Sequence, residues 1–140
     1  MIILDTNVIS ELQKPVPNSA VLNWLDAQEP TNLYLTAITA AELMYGVCLM
    51  PDGQRARRIK MAVEHILEHE FKERILPFDE VAAERYGMIM AQLKKSGVSI
   101  GVCDAQIAAI SIANYCAPIA TRDTKPFKAA QLTVINPFEL

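Results

Sequence analysis

The order of hydrophobic and polar positions along the chain predicts short strands that alternate with helices. The chain opens with the apolar run Ile2–Leu4, which Asp5 ends abruptly. A contiguous apolar run of this kind is typical of a strand buried on both faces of a parallel sheet. Similar short runs predict further strands near residues 33–38, 75–78, 118–120 and 133–135.

Segments with helical periodicity lie between these strands. They predict helices over residues 6–13, from a cap at Asn18 or Ser19 to about 29, from 39 to 49, 54 to 71, 79 to 96 and 100 to 115. The regular alternation indicates an α/β fold, with helices in layers on both sides of a mainly parallel, short-stranded sheet. No repeat or linker is visible, so we expect a single domain over residues 1–140.

Composition and charge narrow the class of protein. A hydrophobic share of 51%, 21% charged residues and a net charge of −3 are typical of a globular chain, and the overall charge does not indicate nucleic-acid binding. A basic cluster at residues 55–60 is expected to be a solvated helix face. The three cysteines form no C-x-x-C pair and predict reduced, mostly buried thiols. No signal peptide or membrane span is visible, so a cytoplasmic protein is expected.

Four acidic residues occupy similar positions relative to the predicted elements. Asp5 and Asp123 directly follow strands, whereas Glu42 and Asp104 lie near the starts of helices. Strand C-termini and the N-termini of neighbouring helices share one edge of a doubly wound sheet, so all four side chains are predicted to converge there. Carboxylates gathered in this way repel one another unless a cation neutralises them, and their oxygens suit Mg²⁺ or Mn²⁺.

Each acidic residue also has an ordinary structural explanation. Asp5 could cap a helix, and Asp123 could form an Asx-turn. Glu42 follows Thr39 at the capping-box spacing, which would fold its carboxylate back onto the helix start. Asp104 is harder to explain in this way, because a charge among small apolar residues is costly without a partner.

Two histidines offer no competing metal site. His65 and His69 have an i, i+4 spacing, but the sequence between them lacks the H-E-x-x-H pattern. They are predicted to lie on a solvated helix face.

Several segments together resemble a known family. MIILDTNVISE, LYLTAITAAELMYGV, CDAQIAAISI, and ATRDTKPF followed by VINPF span nearly the whole chain. In this order they resemble the PIN-domain ribonucleases of the VapC type, the toxins of bacterial type II toxin–antitoxin pairs, and most closely the FitB-like branch.

The resemblance implies an endoribonuclease that cleaves RNA with a metal-activated water. Asp5, Glu42, Asp104 and Asp123 match the acidic quartet that binds Mg²⁺ or Mn²⁺. The residues that would organise this quartet through hydrogen bonds are Thr6, Asn7 and Thr121. Many members have asparagine where this chain has Asp123, although the FitB-like branch also has T-R-D.

The resemblance also implies partners. Toxins of this kind form homodimers and bind a small antitoxin, often with a ribbon-helix-helix DNA-binding half, so DNA would be contacted only through the antitoxin. An antitoxin arginine could enter the acidic pocket and pair with its carboxylates. Basic residues near the pocket rim are candidates for RNA contacts, namely Arg122, Lys125 and Lys128, which follow the fourth carboxylate. The basic cluster at residues 55–60 is another candidate, although a solvated helix face is the preferred explanation for it.

Two other classes use acidic residues at the same sheet edge. A non-catalytic signalling module that binds Mg²⁺ needs adjacent acidic residues early in the chain, and an aspartate-based phosphatase usually needs D-x-D after the first strand. This chain has Asp5 followed by threonine and asparagine. The signalling or binding module remains the alternative to a nuclease.

Overall fold

The computed structural model describes all 140 residues and has one five-stranded parallel sheet at its centre. The strands are β1 (Ile2–Leu4), β2 (Leu33–Thr36), β3 (Ile75–Leu76), β4 (Ile119–Ala120) and β5 (Val134–Ile135). Their order in the sheet is β3-β2-β1-β4-β5. The chain therefore adds β2 and β3 on one side of β1, and then adds β4 and β5 on the other side. The predicted parallel α/β fold is confirmed.

Seven helices cover the two faces of the sheet. They are α1 (Thr6–Leu12), α2 (Ser19–Asp26), α3 (Ala37–Leu49), α4 (Gln54–His65), α5 (Glu80–Lys95), α6 (Val102–Ala113) and α7 (Lys125–Ala129). Residues of α1 to α4 share one hydrophobic core with one face of the sheet, and residues of α5 to α7 share a second core with the other face. None of these helices has the length and hydrophobicity to cross a bilayer.

The central strands supply both cores because successive side chains point to opposite faces. Leu4 of β1 and Ala120 of β4 belong to the first core. Ile3 and Ile119, one residue earlier in each strand, belong to the second core and are fully buried. Both central strands are therefore buried on two faces, as the uninterrupted apolar run of β1 predicts.

The start of α3 differs from the sequence prediction. Thr36, the last residue of β2, is the N-cap, and its hydroxyl accepts a hydrogen bond of 3.0 Å from the backbone N–H of Thr39. Ile38, predicted to extend the strand, is already helical. Glu42 consequently lies in the second turn and not at the capping-box position. The capping-box prediction is wrong because the strand ends two residues earlier than expected, and the helix cap lies three residues earlier, at Thr36.

The prediction of mostly buried cysteines is also wrong, whereas the helix predicted over residues 54–71 is confirmed as helical structure over residues 54–70. All three cysteines are exposed, because Cys48 and Cys103 occupy outward positions on their helices and Cys116 follows the end of α6. The long segment is α4 followed by a wider helical turn over Ile66–Glu70. The histidine prediction holds, since His65 and His69 are exposed.

We expect Thr36→Ala to lower the free energy of unfolding by about 1 kcal/mol, because the variant loses the hydroxyl that caps α3. Glu42→Gln should leave stability nearly unchanged, since Glu42 takes no part in the cap. Urea denaturation of both variants followed by circular dichroism measures the difference. Equal destabilisation by the two changes would contradict the observed cap.

Candidate active site

A polar cleft opens at the point where the sheet changes direction. β1 and β4 are adjacent in the sheet, although their elements are far apart in the chain, and their carboxyl ends meet at the edge where α/β proteins bind ligands. The cleft has a volume of about 390 Å³ and no hydrophobic lining residue. Its walls are formed by Asp5, Thr6, Asn7, Ser10, Glu11, Lys14, Glu42, Asp104, Arg122 and Asp123. All four predicted carboxylates therefore face one space.

Asp5 lies at the floor of this cleft and is only 6% exposed. It is also the N-cap of α1, where its Oδ1 accepts a hydrogen bond of 2.8 Å from the backbone N–H of Thr6. Its Oδ2 accepts two more hydrogen bonds, from the Asn7 amide at 3.1 Å and from the Thr121 hydroxyl at 2.7 Å. Helix capping and a place in the cleft are thus combined in one side chain.

Thr121 joins the ends of β1 and β4 although it is fully buried behind the cleft. Its hydroxyl donates to Asp5 and accepts from the Asn7 amide at 2.9 Å and from the backbone N–H of Asp123 at 3.0 Å. The Asn7 carbonyl oxygen in turn accepts from the backbone N–H of Arg122 at 3.0 Å. These bonds fix the first acidic residue relative to the turn that carries the fourth.

Glu42 reaches the cleft from α3. Its Oε1 accepts a hydrogen bond of 2.9 Å from the Thr6 hydroxyl. Because Thr36 caps the helix, the Glu42 carboxylate is available to the cleft, and its second oxygen has no hydrogen-bond partner within the protein.

Asp104 lies in the first turn of α6 and carries the largest electrostatic perturbation in the cleft. Burial raises its pKa to about 6, and the negative charges of the other three carboxylates add to the shift. Burial also raises the pKa of Asp5, although its three hydrogen bonds oppose the change. The cleft thus has an excess of negative charge, since five carboxylates and only two cationic side chains line it.

The last motif forms the exposed rim of the cleft. The turn at Asp123 is held by the Thr121 hydroxyl, so the Asp123 carboxylate is not used in an Asx-turn. The Arg122 guanidinium carbon lies 5.0 Å from the centre of the Phe138 ring, which is a cation–π contact. Lys125 lines an adjoining hollow together with Asp104 and Asp123, whereas Lys128 lies farther along α7 and lines neither space.

Three further residues that line the cleft were not predicted from the sequence, namely Ser10, Glu11 and Lys14. Glu11 is buried, and its carboxylate accepts a hydrogen bond of 2.9 Å from the backbone N–H of Asn18 and pairs with Lys14 at 2.6 Å. Lys14 lowers the pKa of Glu11. A signal was present, because the spacing from Asn7 to these residues predicts one polar stripe along α1.

The donor set fits a hard divalent cation. Every acidic side chain in the cleft offers oxygen, and no histidine or cysteine lines it. The carboxylates are close enough to shift the pKa of Asp104, yet no three of them form a ready-made group of metal ligands.

The fold and the cleft define an α/β domain with an acidic, oxygen-rich site at the switch point of its sheet. The model of the PIN domain matches residues 2–132, so the chain belongs to the PIN-domain family. A VapC ribonuclease of Sinorhizobium fredii is 50% identical over 99% of both chains. Toxin FitB of Neisseria gonorrhoeae is 43% identical over 99% of both. The crystal structure of FitAcB from Neisseria gonorrhoeae superposes with a TM-score of 0.93, with 43% identity over the full length of both chains.

We expect Asp104→Asn to stabilise the metal-free protein at neutral pH but not in acid. The raised pKa means that folded Asp104 holds a proton between about pH 4 and pH 6 that the unfolded chain has released. Stability of the parent therefore falls as pH rises through this window, and the asparagine variant escapes that loss. Urea denaturation in EDTA at pH 3.5, 5 and 7 measures the free energy of unfolding of both proteins. A difference in this free energy that does not change with pH would contradict the raised pKa of Asp104.

Proposed function

We propose that this protein is a metal-dependent endoribonuclease and the toxin of a bacterial type II toxin–antitoxin pair. The observation that carries the proposal is the convergence of four carboxylates on one polar cleft, with Asp5 fixed at its floor. Membership of the PIN-domain family and 50% identity to a VapC ribonuclease support the reaction class. Identity of 43% to Toxin FitB supports the biological role.

The residues proposed to hold the metal are Asp5, Glu42, Asp104 and Asp123, and the ion is Mg²⁺ or Mn²⁺. When bound, such an ion neutralises the cleft, activates water and stabilises charge on a phosphodiester in the transition state. Thr6, Asn7 and Thr121 support this set by fixing the carboxylates of Asp5 and Glu42 through hydrogen bonds.

The protein side chains have separate tasks in the proposed reaction. Asp5 is held in one orientation by its hydrogen bonds, which limits rearrangement when substrate enters. No histidine lines the cleft, so the proton of the attacking water would pass to a carboxylate, unless the metal when bound supplies hydroxide directly. Arg122 and Lys125 lie near Asp123 and are proposed to contact RNA phosphates. Lys128, which lines neither space, is proposed as an outer contact.

The proposed partners are those that the acidic cleft can recognise. A small antitoxin of the ribbon-helix-helix type would neutralise the toxin, and an arginine from it matches the acidic cleft in charge and in hydrogen-bond geometry. DNA would be contacted only through that antitoxin. The toxin itself is proposed to act in the cytoplasm as a homodimer of single PIN domains.

The arrangement of Asp5 argues against the signalling or phosphatase alternative. Both alternatives need a second acidic residue close to the first. Asp5 is followed by Thr6 and Asn7, whose side chains donate hydrogen bonds to Glu42 and Asp5. A metal ligand held by neighbouring groups is the better explanation.

We expect Asp104→Asn to reduce Mg²⁺- or Mn²⁺-dependent cleavage of total cellular RNA by more than about 100-fold, since loss of even a supporting residue of a metal site costs 10–100-fold. Cleavage-site mapping measures the loss. Asp52→Asn, a change in an exposed turn between α3 and α4, is the matched control and should cleave as the parent does. Cleavage by Asp104→Asn at the parent rate would refute the proposed mechanism.

Thr121→Val should weaken metal binding by about 10–100-fold while the fold is retained. The substitution keeps the shape of the side chain but removes the hydroxyl that donates to Asp5. The metal concentration that gives half-maximal cleavage measures the effect, with Thr133→Val at an exposed position as control. An unchanged metal requirement would show that this hydrogen bond does not support the site.

A further inference from the structure

A second groove lies beside the acidic cleft at the end of α1. It has a volume of about 470 Å³ and is lined by Gln13, Pro15, Arg55, Arg58 and Ile59. The residue between the first two, Lys14, lines the acidic cleft. The two spaces are therefore separated only by the chain segment that follows α1.

The arginines of this groove have no acidic partner. The one ion pair within α4 joins Lys60 to Glu64 at 3.8 Å, and no carboxylate lies within 4.0 Å of Arg55 or Arg58. Both arginines are exposed. The chain has a net charge of −3, so two unpaired guanidinium groups make this groove locally positive beside an acidic site. Guanidinium groups bind phosphate with two parallel hydrogen bonds.

Lys14 connects this positive charge to the cleft. Its ammonium group lies 2.6 Å from a Glu11 oxygen, while 53% of its side chain stays exposed. The other Glu11 oxygen is held by the backbone N–H of Asn18. Because an ammonium group has three donors, Lys14 can keep its bond to Glu11 and still donate to a second anion.

We propose that Lys14, Arg55 and Arg58 form a track for the RNA backbone, which leads the substrate strand out of the acidic cleft into the neighbouring groove. The inference rests on the proposed ribonuclease function and adds the route of the substrate. Glu11 is a positioning residue in this scheme, since it acts only through Lys14.

Charge favours an RNA strand as the occupant. The four carboxylates repel phosphates, so nucleotides flanking the scissile bond need cations outside the cleft. The groove contributes two cations, and of its lining residues only Ile59 and Pro15 are apolar. This composition matches a polyanion better than an apolar protein segment.

The test measures binding of a short fluorescein-labelled polyuridine to Asp104→Asn protein at fixed Mg²⁺ over a series of salt concentrations. Addition of Arg55→Gln and Arg58→Gln should raise the Kd roughly tenfold and lower the salt slope by about 0.7 for each lost contact. Arg57→Gln is the matched control, because Arg57 lies on the same exposed helix with the same charge but does not line the groove. Equal effects of all three changes would overturn the inference, since they would indicate only a general electrostatic effect.

A second measurement concerns Lys14 in otherwise unaltered protein. Lys14→Gln should raise the KM for RNA cleavage, and Lys14→Arg should restore it. The double variant Glu11→Gln, Lys14→Gln leaves no buried carboxylate unpaired and should show the same raised KM, whereas a KM that returns to the parent value would assign Lys14 a purely structural role. An unchanged KM in Lys14→Gln would overturn the inference. Variants that lose a co-purifying antitoxin while their RNA binding stays normal would also overturn it, because they would assign the groove to a protein partner. If the parent cleaves no RNA, the proposed function itself fails. If the parent cleaves and the track variants match it, only the track is wrong.

Discussion

The hydrogen bond from the Thr121 hydroxyl to Asp5 is the contact on which the site depends. It joins the ends of β1 and β4, two strands that are neighbours in the sheet but lie more than 100 residues apart in the chain. One donated and two accepted bonds use the full capacity of that hydroxyl. Because the buried Thr121 hydroxyl makes all the hydrogen bonds it can, its geometry can vary little. The position of the Asp5 carboxylate relative to the turn that bears Asp123 is therefore fixed.

The same contact explains why an unfavourable concentration of charge persists. Burial and mutual repulsion raise the pKa of Asp104 to about 6 and also raise that of Asp5. The two hydrophobic cores on either side of β1 and β4 stabilise the sheet independently of the cleft. The fold can therefore hold carboxylates in a conformation that costs stability without a cation, which is typical of functional sites.

The sequence predicted the fold and the convergence of the carboxylates because both follow from where apolar runs end. It failed at α3, where Thr36 and Thr39 are equally suitable caps by residue type. Only the end of β2, set by pairing with its neighbours, decides between them. The pair formed by Glu11 and Lys14 was missed for a related reason. The helix was interpreted from its apolar stripe, while its polar stripe also faces a defined space.

Net charge was misleading in the same way. A value of −3 indicates no affinity for nucleic acid, yet it averages an acidic cleft with an adjoining groove whose arginines are unpaired. A phosphodiester enzyme with metal-binding carboxylates needs this separation. The carboxylates lie where the bond would be cleaved, and the unpaired arginines lie in the neighbouring groove, where they do not compete with a metal. Lys14 lines the cleft between them, and its bond to Glu11 holds it in place.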